Sequence, residues 1–565
     1  MLSSTSFHNF FSDSDSQRKG IIILIIWCAI DLLQALFTEL HFDEAYYKLF
    51  ADHLEWGYFD HPPGIAILVW LGSQLISGSL GIRLCTVLLH PLSLYLFWKS
   101  LPTEKQTHLP FFLLLAAAIP YIQITGFVAT PDAPLFFSMS LLLFAFQKFT
   151  KRALWGELLL LALALAFAMY SKYHAVLFIV LLIIAQPKLL RQFKFYLAVV
   201  LAVALYLPHL AWEHQNDWVS VYYHLFDRSR DLRWSNVAEF LWNIPASYNP
   251  LVFIPFLWFA CRHKLRDGYD RLLCYTALGF VIFFASTTLR GHVQPQWLLP
   301  IVFYMVWTLY QAGLAQAQTA KWLQRLALVS VGILFLTRIL LVCNLPIAAN
   351  LGFSQNQKSY TQLAEAVGDA PLIFDSNYGM AAHYAYYSGQ PVHSPGWVYH
   401  RNSQFGLWKF DENFYGQSVW VHCPDSLPQW KLPNGKSVSL KKVDFYIPLS
   451  RIEVSTGPLP RKPLAGRPLV MAVSLHNPYD FPLPLGSEIR LRAIWKNRQG
   501  VLIDIPLALP DSLLAPGATL SIPASLPTPT LAGNHELGFA IQREPFRYQF
   551  THRPVRLYLL EKTGR

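Results

Sequence analysis

The chain has 565 residues, of which 53% are hydrophobic, 15% aromatic and only 14% charged, with a net charge of +11. A soluble protein of this size carries closer to a quarter charged residues, so the composition argues against a large soluble enzyme. The basic residues are scattered between apolar runs, without the basic cluster that a nucleic-acid surface needs.

Arg18-Lys19-Gly20 precedes a long apolar run. No small-residue cleavage site follows, so the run reads as a retained first span. A span needs roughly 20 mostly apolar residues. Eleven segments qualify: 21–40, 82–101, 108–125, 133–148, 153–170, 174–187, 195–211, 239–260, 270–287, 297–312 and 323–343. The shorter segment 64–78 follows Pro62-Pro63 and contains Gly72 and Ser73. It reads as an interfacial helix; reading it as a span would reverse the parity.

Charge sets the orientation. With the N-terminus cytoplasmic, the inner segments carry sixteen Lys and Arg residues and the outer loops six. That is the positive-inside pattern. It places outside the stretches "HFDEAYYKLFADHLEWGYFDHPPG" (41–64), "TPDAP" (130–134), "SKYH" (171–174), the 209–238 loop and "RGHVQPQW" (290–297).

After about residue 344 the pattern changes. "YTQLAEAVGDAPLIFDSNYGMAAHYAYYSG" alternates helical periodicity with a short apolar strand, as a small α/β module would. From about 450, "PLVMAVSLHNPY", "EIRLRAIWKN", "ATLSIPASL" and "HELGFAIQ" are short strand-like segments separated by turn residues, the pattern of an immunoglobulin-like β-sandwich. The expected division is 1–344 membrane domain, 345–449 α/β module and 450–565 β-sandwich. The span parity puts both soluble modules outside. The six cysteines show no metal-ligand spacing and no disulfide framework.

Acids at the edge of a membrane are costly, and a functional role is the default reading. Asp43-Glu44 lies at the outer end of the first span, and Asp132 sits between Pro131 and Pro134. Asp132 also suits a helix cap, and the two roles are compatible. A helix starting near Asp43 puts Tyr46 and Tyr47 at i+3 and i+4. Asp60-His61-Pro62-Pro63 makes a rigid polar turn. Lys172, Arg290, His209 and His292 lie on the same side. Lys172 read alone is more simply a snorkelling lysine, and Arg290, His292 and His209 present the same choice. Acids can deprotonate a hydroxyl or amine nucleophile, and cations can meet the charge of a departing phosphate. Beside a membrane, that pairing suggests a lipid-phosphate substrate.

The motifs "DEAYY", "GYFDHPP", "TPDAP", "SKYHAVL", "HQNDW" and "RNSQFGLW" resemble the bacterial branch of protein O-mannosyltransferase-like glycosyltransferases, enzymes of the GT-C fold that include the lipid A aminoarabinose transferases. The resemblance covers roughly residues 20–345. It implies a multi-pass bacterial inner-membrane enzyme of about 11 spans that works at the periplasmic face. The donor would be a polyprenyl (undecaprenyl) phosphate sugar, and the acceptor lipid A, another glycan or a protein.

It assigns catalysis to Asp43, with Glu44 as neighbour, and to Asp132. Lys172, His61, Arg290, Tyr46 and Tyr47 would face the donor phosphate, while Asp60, His209 and His292 would contact acceptor or a metal. Aminoarabinose transferases carry Glu-Lys-Pro where this chain has Asp60-His61-Pro62, so their substrate pair does not transfer directly. No cofactor is required, and a divalent metal is compatible but not demanded. The chain is expected to act as a monomer and to bind no nucleic acid. An ion-coupled transporter or flippase is the alternative, but the acids cluster on one face and no internal repeat is visible. A glycan-binding role for the sandwich alone would leave the membrane acids unexplained.

Overall fold

The computed structural model describes residues 13–227, 233–289, 291–345, 352–353, 356–399, 402–423, 429–431, 437–460, 462–497 and 500–561. The chain forms two compact units: residues 1–223 with 232–354, and residues 355–565 with 224–231.

The first unit is helical. Its helices are α1 Asp13–Phe37, α2 Phe42–Asp52, α3 Gly64–Leu75, α4 Gly78–Ser100, α5 Leu109–Ala117, α6 Pro120–Ile124, α7 Asp132–Arg152 and α8 Trp155–Ser171. They continue with α9 Ala175–Ala185, α10 Phe193–Gln215, α11 Val219–Tyr222, α12 Trp234–Ser247, α13 Pro250–Ala260, α14 Gly268–Thr288, α15 Ile301–Ala315 and α16 Ala317–Val342. Among the described residues six helices are long and apolar enough to cross a membrane: α1, α4, α7, α10, α14 and α16. Each matches an expected span. Large apolar side chains such as Ile25, Phe37, Ile282 and Phe335 stay exposed along them, as on a lipid-facing surface. The chain is a multi-pass membrane protein.

The other five expected spans fall on shorter or broken helices, and the breaks have local causes. Segment 108–125 divides into α5 and α6 because Pro120 cannot continue the helix. Segment 239–260 divides into α12 and α13 at Tyr248-Asn249. Pro250 keeps the residue before it out of the helical region, and Asn249 takes φ +67°. The Asn249 side chain repairs the gap: its amide donates to the Ala118 carbonyl at 2.8 Å, and its oxygen accepts from the Leu251 amide at 3.1 Å. Two breaks are thereby tied together, which keeps backbone polar groups satisfied at membrane depth. Segment 64–78 is the helix α3.

In the second unit the expected helix–strand alternation appears as Asn356–Val367, β1 Leu372–Phe374, Tyr378–Ser388 and β2 Val392–His393. β1 pairs in parallel with β2 and with β3 Val419–His422. β4 Gln429–Lys431 and β5 Ser437–Val443 complete a five-stranded sheet of order β2-β1-β3-β5-β4.

Beyond it, β6 Glu453–Thr456, β7 Leu469–His476 and β12 Thr519–Leu526 form one antiparallel sheet. β9 Ile489–Asn497, β10 Gly500–Leu507, β13 Gly533–Arg543, β14 Gln549–Phe550 and β15 Val555–Leu559 form another, and the short strands β8 Leu483–Pro484 and β11 Leu513–Leu514 pair beside them. Alternate residues of both sheets, among them Val473, Leu475, Leu491, Trp495, Leu526 and Phe539, close one core between them, as in a β-sandwich.

Candidate active site

The first acidic motif sits at the start of α2. The His41 ring Nδ1 accepts from the Asp43 amide, and the Glu44 carboxylate accepts from the His41 amide at 2.7 Å, a reciprocal cap on the helix. Asp43 is the half-exposed member, with its carboxylate 4.0 Å from the His41 ring. Glu44 differs from the expectation of a catalytic neighbour. It is fully buried, and Arg83 grips it through Nε at 2.7 Å and Nη2 at 2.5 Å. The Ala129 amide also donates to Glu44, at 2.8 Å. Arg83 spends its remaining donors on the carbonyls of Ala35, Thr38 and Glu39. Burial alone would raise the Glu44 pKa. The Arg83 charge and these hydrogen bonds outweigh it and hold the carboxyl below its ordinary range. Glu44 therefore joins the outer end of α1, the start of α2 and the segment leading to Asp132, and has no face left for a substrate.

Tyr46 and Tyr47, expected at the donor phosphate, are also buried. Tyr46 packs on Phe50 at 4.6 Å, and Tyr47 meets the His61 ring edge-to-face at 5.7 Å. Phe50 in turn stacks on Tyr58 at 3.9 Å. These tyrosines form an aromatic core that fixes the 53–61 loop against α2. Asp60 is buried in that loop, while His61 is partly exposed behind Tyr47.

The second acidic motif meets the expected cation. Lys172, just past the end of α8, donates to Asp132 Oδ1 at 2.7 Å. Asp132 is the first residue of α7, whose start has no side-chain cap bond. Its carboxylate serves Lys172, and its charge also reaches the phenols of Tyr121 and Tyr248. Both tyrosines lie at helix breaks, and their rings are 5.0 Å apart. The interruptions at α5–α6, α8–α9 and α12–α13 thus gather side chains at one place.

His209 does not join a substrate or metal set. Its ring Nδ1 donates to the Trp56 carbonyl at 2.7 Å, and its Nε2 lies 3.3 Å from the Tyr173 hydroxyl. Tyr173 donates to buried Glu213 at 2.9 Å, and Trp212 donates to Glu55 at 2.7 Å. The ring pins the 53–61 loop to α10. His292 pairs with Glu239 at 3.0 Å on the surface. Arg290 lies outside the described residues. Among the described residues no three His, Cys, Asp or Glu side chains are grouped to hold a metal ion.

Sequence reasoning missed Arg83, Glu213, Tyr121, Tyr248 and a buried set formed by Asp31, His90 and Arg338. A signal existed for several: Asp31, Arg83 and Arg338 are charges inside apolar runs, which are expensive there. The tyrosines lacked one, because aromatic residues in spans are ordinary.

Residues 60–212 match the family described as dolichyl-phosphate-mannose-protein mannosyltransferase. The stretch contains Asp60, His61, Asp132, Lys172 and His209 but not Asp43. Over 327 residues the chain is 25% identical to lipid A galacturonosyltransferase RgtD of Rhizobium johnstonii, which covers 52% of this chain and 66%, just under two thirds, of that relative. The fold is similar to the crystal structure of ArnT from Cupriavidus metallidurans bound to undecaprenyl phosphate, with a TM-score of 0.53 and 14% identity over 75% of this chain and 97% of that one. The fold is GT-C, and these relatives do not favour the transporter reading.

Proposed function

We propose that this chain, a membrane glycosyltransferase of the GT-C class, moves a sugar from a polyprenyl-phosphate donor to an acceptor at the periplasmic face of the bacterial inner membrane. The observation that carries the reading is the Asp132–Lys172 pair, in a segment bound to the first acidic motif through Glu44 and Ala129. A cation held by a carboxylate is ready to share its charge with an arriving phosphate. The half-exposed Asp43 is available to an acceptor.

In this mechanism Asp43 accepts the proton of the acceptor hydroxyl or amine as that atom bonds to the anomeric carbon. The bond from that carbon to the phosphate oxygen breaks on the opposite side, so the configuration inverts in one step. Lys172 stabilises the charge gathering on the leaving polyprenyl phosphate. Asp132 holds Lys172 and orients the sugar. No metal is required, so transfer should survive EDTA. The name of the relative RgtD makes lipid A the first acceptor to test. We expect the chain to act as a monomer.

Mass spectrometry of lipids and glycans, from cells with and without the gene, should show a gene-dependent sugar on the acceptor. Asp43→Asn and Asp132→Asn should each remove it while the protein remains folded in the membrane. Full modification by both folded variants would sink the assignment.

A further inference from the structure

The Asp31, His90 and Arg338 side chains lie in three different helices, α1, α4 and α16, and all are buried. Asp31 is six residues, about 9 Å, inside the C-terminal end of α1. One of its oxygens takes Arg338 Nη2 at 2.5 Å and the other faces His90 Nδ1 at 2.8 Å. Such groups are expensive at membrane depth, which invites a functional account. One consequence is plain packing of three spans. The contacts, however, extend in a particular direction.

Arg338 Nη1 donates to Gln123 Oε1 at 2.7 Å, and its guanidinium lies 4.8 Å from the Phe127 ring centre. Gly126, between them, rests directly on the set. A Cβ there would stand 2.5 Å from Asp31 Oδ2 and 2.6 Å from His90 Nδ1. Three residues later the Ala129 amide reaches Glu44, and three residues after that the chain delivers Asp132. The segment 123–129 is therefore held at four successive points before the residue that binds Lys172.

We infer that Asp31, His90 and Arg338 are positioning residues for the proposed transfer: they set the height and angle of the 123–131 segment and so place Asp132 against Lys172 and the donor. Gly126 is glycine because the segment must touch this set, not because of its backbone angles. The inference rests on the proposed glycosyltransferase activity. Misplacing a reacting group by about 1 Å can cost on the order of 100-fold in rate.

The test is purified enzyme in detergent with polyprenyl-phosphate sugar and the acceptor on which the gene-dependent sugar is found, following kcat and KM separately. Gly126→Ala should lower kcat by about 10- to 100-fold, with KM for the donor within about twofold. Adding His90→Ala removes the ring from one side of the new methyl and frees Asp31 Oδ2, which His90 holds, to turn away from it, so kcat should return to within about threefold of His90→Ala alone. A merely structural clash would lower the amount of folded enzyme without this split or this rescue. If Gly126→Ala does not fold, Arg338→Lys carries the test. Lysine keeps a charge for Asp31 but loses the fork that also holds Gln123, so kcat should fall at least about 10-fold. Full kcat in the folded Gly126→Ala or Arg338→Lys enzyme, or no rescue by His90→Ala, overturns the inference. A wild-type enzyme that transfers nothing overturns the proposed function instead.

Discussion

Glu44 shows how one carboxylate changes meaning with its surroundings. In the sequence it is the partner of Asp43 in "DEAYY". In the folded chain four donors from Arg83, His41 and Ala129 surround it, with no water side. Breaking a buried pair by removing one partner leaves an uncompensated charge and typically costs about 3–5 kcal/mol. Arg83→Met should therefore sharply lower the midpoint of thermal unfolding in detergent, far more than Asp43→Asn does. The pH dependence follows from the depressed pKa. The stabilisation is complete above the ordinary carboxyl value of about 4.3 and is lost as pH falls through the lower folded-state value. Glu44→Gln should remove that acid-side loss, which unfolding midpoints measured across the acid range will check. Asp43, by contrast, has an exposed side and no such cage.

Among the elements, the informative places are where helices stop or touch. Hydropathy windows average over about 19 residues, so they merge α12 with α13 and α5 with α6. Their apolar content does not change at the breaks. The prolines at 120 and 250 were visible, but only the fold shows that both interruptions face Asp132. Helix contacts follow the same logic. A Cβ on Gly81 would lie 1.7 Å from the Ile76 carbonyl oxygen, and one on Gly72 would lie 2.2 Å from the Gly81 carbonyl oxygen. The turn from α3 into α4 closes backbone on backbone, where nothing can rotate away. Gly81→Ala should consequently reduce the yield of folded, monodisperse protein in the membrane. Gly332→Ala, at a position with open space around it, should leave that yield unchanged. Size-exclusion chromatography of the two variants checks the contrast.

At the scale of the whole molecule, the helical unit and the sheet-rich unit are stabilised differently. The second unit depends on its own apolar core, and one weak point in acid is His422 at the end of β3. Burial, assisted by the charge of Arg547 and opposed by a hydrogen bond to its own backbone, pushes this imidazole down to about 4. An unfolded chain takes up a proton near pH 6.5 that the folded one refuses. The contribution of His422 to stability is thus complete above about pH 6.5 and is lost as pH falls toward 4, by at most about 3 kcal/mol. Protection of the β3 amides, taken relative to the intrinsic exchange rate at each pH, should fall over that window, and His422→Gln should flatten the dependence.

Composition, the charge bias between loops and the period-2 segments after residue 450 determined by themselves that this is a multi-pass membrane protein with a β-rich end. Those properties belong to the chain's exchange with its solvent, residue by residue, and need no partner across the fold. The motifs likewise singled out Asp43, Asp132 and Lys172, and the fold pairs the last two. Only the tertiary structure decided which polar residues stay partly exposed and which are spent inside. The Glu44–Arg83 pair spans 39 positions and the Asp31–Arg338 pair spans 307. A buried charge takes its meaning from the group that neutralises it, and in this chain that group comes from a distant helix.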